Sequence, residues 1–125
     1  MAVNYANALK DARMNAVITA IDAQSGNGYL EIGTSGMATV LVQINFQKPS
    51  FTEASQAITM AGAPKSGTAS ASGTAAAARI KDSAGTVQIS GLTVGTSGTD
   101  IVLNSTAISS GQTVTISSAV ITHAP

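Results

Sequence analysis

Apolar residues near the start of the chain recur at spacings of three and four. Tyr5, Leu9, Ala12, Ala16 and Ala20 make one stripe, and Met14, Ile18 and Ile21 make a second beside it. That period predicts a helix from about Tyr5 to Asp22, with Asn4 as its cap. Lys10, Asp11, Arg13 and Asn15 fall mostly between or opposite the stripes. Two stripes make a wide apolar arc for a surface helix, so the helix is expected to touch two surfaces: its own domain and a neighbouring body. Ser25-Gly26-Asn27-Gly28 then supplies residues that tolerate positive φ and ends it.

After Gly28 the period becomes two. Tyr29–Gly33 alternates around Leu30 and Ile32, and Val40, Val42, Ile44 and Phe46 alternate with Thr39, Leu41 and Gln43. Pro49 interrupts, Ser50–Glu53 reads as a loop, and Ile58 and Met60 sit at strand spacing. The run Gly67–Ala78 is low in complexity and fits a flexible linker. It fits better a strand packed closely against another backbone, because Thr68, Ser70, Ser72 and Thr74 alternate with Ala and Gly. Ala76–Ile80, the turn Asp82-Ser83-Ala84-Gly85 and Thr86–Ser90 make a hairpin. Gly91–Thr99 reads as a loop, Asp100–Asn104 as a short strand and Ser109–Gln112 as a turn. Thr113–Thr122 is the clearest strand, with Val114, Ile116, Ser118 and Val120 on one face. The expected fold is mainly β: an N-terminal α-helix (residues 1–24) followed by an antiparallel β-sandwich or jelly-roll-like domain (residues 25–125). Strands do not alternate with helices, which argues against a parallel α/β sheet.

Composition changes the picture in one direction. Hydrophobic residues make up 44% of the 125, but only 3% are aromatic. Val, Ile and Leu must therefore carry the core, and added burial from oligomerisation or docking would strengthen a marginal domain. Six basic and six acidic residues cancel, which argues against nucleic-acid binding. Without cysteine, the chain has no disulfide or thiolate metal site. The charged start MAVNYANALKDAR is unlike a secretion signal, and no apolar run approaches a membrane span, so synthesis in the cytoplasm is expected.

Candidate chemistry is sparse. The single histidine, His123, has no carboxylate near it in sequence and reads as a solvated side chain. Asp82 and Asp100 lie beside turn residues, where Asp bonds its own backbone, and no calcium-loop spacing surrounds them. Serines are abundant, but serine catalysis needs a base. Neither GxGxxG nor GxxxxGK[ST] occurs. The expectation is a protein that is not an enzyme and needs no cofactor or metal. The candidate contact residues are Leu9, Met14, Ile18 and Ile21 on the helix, Phe51 as an exposed loop anchor, and Arg79 with Lys81. The last two share one strand face, where they either meet an acidic groove on a partner or protect a solvated edge.

The stretches NALKDARMNAVITAIDA, LEIGTSGMATVLVQINFQKPSF and GTAAAARIKDSAGTVQISGLTVGTSGTDIVLNSTAISSGQTVTISSAVITHA cover nearly the whole chain. In their order (helix, first sheet, Ala/Thr-rich strand, DSAGTV hairpin, GQTVTI strand) the chain resembles a family of small bacteriophage virion proteins. The resemblance implies a capsid decoration or cement protein that binds the outside of the phage head over capsomer joints. The implied partners are the major capsid protein and the protein itself, as a dimer or trimer, with no nucleic acid or membrane; the implied location is the virion surface. A phage tail or head–tail connector protein is the alternative within that family. A carbohydrate-binding β-sandwich module is a more distant one, since such modules display Trp or Tyr platforms and this chain has no Trp and two Tyr.

Overall fold

The computed structural model describes residues 6–122 and begins with helix α1 (Asn7–Asp22). Ala6 occupies the cap position without a side-chain hydrogen bond. Asn4 and Tyr5, expected to open the helix, and His123 lie outside the described residues. Of the two apolar stripes, the one bearing Met14 and Ile21 is buried, and Val17 and Ile18 pack partly buried against the same core. The helix lies on the β3–β4 hairpin (Phe51–Ala54 and Ala57–Met60), where helix carboxylates accept backbone hydrogens. Asp11 Oδ1 accepts from Gln56 N at 3.0 Å, and Asp22 Oδ2 from Ser50 N at 3.0 Å.

The remaining strands are β1 (Tyr29–Gly33), β2 (Val40–Asn45), β5 (Lys65–Thr68), β6 (Gly73–Thr74), β7 (Ala77–Lys81), β8 (Val87–Gly95), β9 (Ile101–Leu103), β10 (Ala107–Ile108) and β11 (Thr113–Thr122). Nine form one sheet in the order β2-β1-β7-β8-β9-β11-β4-β3, with β5 also paired to β11, and β6 pairs with β10. The fold is mainly β behind an N-terminal helix, as the periodicity predicts. The pairing traces one continuous curled sheet rather than the two facing sheets of a sandwich, and it is mixed rather than wholly antiparallel. β8 and β9 run parallel for two residue pairs, because Thr93 and Asp100 grip each other's backbone amides through their side chains and turn the chain back alongside itself.

The sheet curls until β5, held on β11, lies against β2. Ser70 N donates to Leu41 O at 2.8 Å, and a Cβ on Gly67 would sit 2.8 Å from Gln43 O. The Gly/Ala/Thr-rich run thus serves close backbone approach within the chain. It is neither a linker nor one strand: it contributes the end of β5, all of β6 and the start of β7. Its return over β2 also explains why Leu41 is buried although it alternates with Val42 and Ile44, since Gly73 packs on the Leu41 side chain.

Two further expectations are corrected. Ser50–Glu53 is not a loop: β3 starts at Phe51, which pairs with Met60 and is 1% exposed. β8 also runs through to Gly95, where a loop was expected. In β11 the pairing with β9 slips between Ile116 and Ser118, so the buried side changes from Val114 and Ile116 to Ala119, and Val120 turns outward. Ile, Leu and Val fill most of the core, with Phe46 and Phe51 as its aromatic members.

Candidate functional site

Two surface features collect the exposed residues of interest. The first is the outer side of α1. Because Met14, Ile18 and Ile21 face the chain's own sheet, the other stripe is turned outward: Leu9 is 45% exposed, Ala12 and Ala16 are exposed, and Ala20 is half-buried. The stripe has no counterpart among the described residues to cover it. Met14, Ile18 and Ile21 were candidate contact residues from the sequence, and in this fold Met14 and Ile21 are wholly committed to the core, with Ile18 packed beside them. Leu9 is the helix candidate left at the surface.

The second feature is the polar face of β1 and β7. These strands pair with Glu31 opposite Arg79 and Tyr29 opposite Lys81, so all four side chains share a face. Arg79 Nε lies 2.6 Å and Lys81 Nζ 3.1 Å from the same oxygen, Glu31 Oε1. The side chains are 28%, 18% and 11% exposed, respectively. Burial raises the pKa of the Glu31 carboxyl, but the hydrogen bonds and charges of Arg79 and Lys81 outweigh it, and the group titrates below its ordinary value. One ionised carboxylate therefore serves two cations, and the cluster keeps one uncompensated positive charge. β7 lies between β1 and β8, so Arg79 and Lys81 do not protect a sheet edge.

Sequence reasoning placed Arg79 and Lys81 on one face but missed Glu31. The available signal was an acid between Leu30 and Ile32 in a short strand, a position where a charge needs a cross-strand partner. Phe51, expected as an exposed anchor, is not at the surface: its ring meets Phe46 in the core.

The two aspartates beside turns act on backbone. Asp82 Oδ1 accepts from Ala84 N and Thr86 N at 3.0 Å each, and Asp100 Oδ2 accepts from Thr93 N at 3.0 Å. Among the described residues no three His, Cys, Asp or Glu side chains gather as a metal site requires, and no helix is long and apolar enough to cross a membrane. In comparisons with known proteins, the chain matches no family model, no curated protein and no solved structure.

Proposed function

We propose that this protein is a structural component of a bacteriophage virion, a decoration or cement protein bound as a homo-oligomer to the outside of the head. There it bridges capsomer joints formed by the major capsid protein. The observation that carries this reading, beside the resemblance read from the sequence motifs, is the division of α1. Its Met14/Ile18/Ile21 side is spent on the chain's own core, while Leu9, Ala12 and Ala16 are presented outward on a rigid helix. A small apolar face of Leu9, Ala12 and Ala16, with exposed Arg13 beside it, suits attachment to a large body, where many copies make modest single contacts sufficient. A formal net charge of zero suits contacts that depend on burial rather than long-range attraction, so binding should survive moderate salt.

The test uses particles of a phage that encodes the chain. The protein is stripped, thermal and osmotic stability are measured, and purified protein is added back. Recovery of both binding and stability is the expected result. Particles that neither take up the protein on the head nor gain stability would reject the proposal, and uptake confined to the tail would favour a tail or connector role.

A further inference from the structure

A cleft of about 350 Å³ opens beside the Glu31 cluster, between the turn at Gly36 and Met37 and the β7–β8 hairpin. Ala77, Ala78 and Arg79 of β7 line it on one side, and Val87, Ser90 and Gly91 of β8 on the other. A bulge shapes it. Ala78 pairs with Leu92 and Ile80 with Ile89, so Arg79 alone stands opposite both Ser90 and Gly91. Gly91 takes φ +73° there, as few residues other than glycine do readily. At both Gly36 and Gly91 a Cβ would meet nothing within 4 Å.

The cleft's chemistry is specific. Met37, Ala77 and Val87 give it apolar walls, and Val87 is 44% exposed, one of three large hydrophobic side chains left at the surface among the described residues. Arg79 supplies a cation whose Nε is fixed by Glu31 and whose two Nη groups have no hydrogen-bond partner among the described residues. A guanidinium held at Nε offers its remaining donors in a fixed plane suited to a carboxylate. The cluster's uncompensated positive charge favours the same ligand. The open rims at Gly36 and Gly91 suit a chain passing through rather than a small molecule enclosed on all sides.

We infer that this cleft is a docking site for an extended protein segment that presents a glutamate or aspartate beside apolar residues. The carboxylate pairs with the Nη groups of Arg79, and an apolar neighbour packs on Met37 and Val87. Glu31 acts as a positioning residue that aims the guanidinium. The inference stands on the cleft alone and does not require the chain to sit on a capsid.

The test titrates isotope-labelled full-length protein with two peptides, acetyl-Leu-Glu-Val-amide and acetyl-Leu-Gln-Val-amide, and follows chemical shifts. The glutamate peptide should perturb the Met37 and Val87 methyls, the Gly91 amide and the Arg79 Nε signal. The glutamine peptide should bind about tenfold more weakly, as expected when one charge-assisted hydrogen-bonded contact is lost. Arg79→Gln should remove that preference. Because this change also unbalances Glu31, Val87→Asp, at an exposed position, serves as a second variant: it should keep the dispersed spectrum of the fold and lose binding of the glutamate peptide. Equal binding of the two peptides, shifts located away from the cleft, undiminished binding by folded Val87→Asp, or no binding up to the solubility of the peptide would each overturn the inference. Loss of particle binding with peptide binding intact would reject the virion reading only.

Discussion

Phe51 meets Phe46 edge-to-face, with ring centroids 5.1 Å apart and planes at 64°. Both rings are essentially sealed from solvent, at 1% and 2% exposure, and they join the β3–β4 hairpin to the end of β2. Aromatic pairs in this geometry add to the burial of each ring. Phe51→Ala is therefore expected to lower stability by about 3–5 kcal/mol in urea unfolding. Stability within about 0.5 kcal/mol of the parent, typical of surface substitutions, would mean that Phe51 is outside the core.

The two sides of α1 should separate cleanly. Ile21→Ala, which truncates a side chain with no exposed surface, is expected to cost about 2–5 kcal/mol. Ile18→Asp should also destabilise, since Ile18 packs against the core. Leu9→Asp should leave unfolding almost unchanged and reduce attachment to particles. A Leu9→Asp protein that unfolds much earlier, or one that is stable and binds particles as well as the parent, contradicts the assigned division.

The seam between helix and hairpin carries a pH signature. Asp11 accepts from both Gln56 N and Gln56 Nε2 at 3.0 Å, and Glu53 accepts from Gln56 N at 3.3 Å. The Gln56 side chain, followed by a hydrogen bond with Glu53, holds Asp11 below its ordinary value of 3.8. Desolvation, followed by the hydrogen bond and charge of Asp11, pushes Glu53 above 4.5. The contribution of Asp11 is thus present above 3.8 and lost as pH falls through its lowered folded value. That of Glu53 is present below 4.5 and lost as pH rises through its raised folded value. Glu53→Gln, which keeps a donor and removes the charge, should gain stability relative to the parent as pH rises from mildly acidic to neutral. A variant whose difference from the parent is the same at pH 4.5 and pH 7 would show that the carboxylates do not interact.

Removing Glu31 should expose the repulsion it screens. In Glu31→Gln, Arg79 and Lys81 share a face without a counter-charge, and about 2 kcal/mol of stability should be lost at neutral pH. Because the folded pKa of Glu31 is depressed, its contribution is present above 4.5 and fades as pH falls through the folded value. The gap between parent and variant should therefore close in acid. Combining Glu31→Gln with Lys81→Gln should cost less than the sum of the single changes, as coupled neighbours do. Strict additivity would separate Lys81 from the cluster.

What the sequence made legible was what local periodicity controls. The strands Tyr29–Gly33 and Thr113–Thr122 match their predicted limits, and the Asp82–Gly85 turn closes as expected, with Gly85 N donating to Asp82 O. What stayed hidden depends on distant partners. The slip at Ser117 is set by pairing with β9, so strict alternation placed Val120 on the wrong side. Phe51 looked like a loop residue after Pro49, and only pairing with Met60 makes it a strand. Either stripe of α1 was apolar enough to face the core; docking on the β3–β4 hairpin decided for Met14, Ile18 and Ile21. At the candidate site, two cations on one face were readable, but the register that sets Glu31 opposite Arg79 was not.

The proposed attachment to the head runs through the outward side of α1. The most direct measurement is an electron cryomicroscopy difference map between particles carrying the parent protein and particles prepared with stable, folded Leu9→Asp protein. Density is expected on the outer head surface over capsomer joints, with α1 against the shell, and that density should be lost with the variant. Density confined to the tail, or head density undiminished by Leu9→Asp with α1 facing solvent, would contradict it.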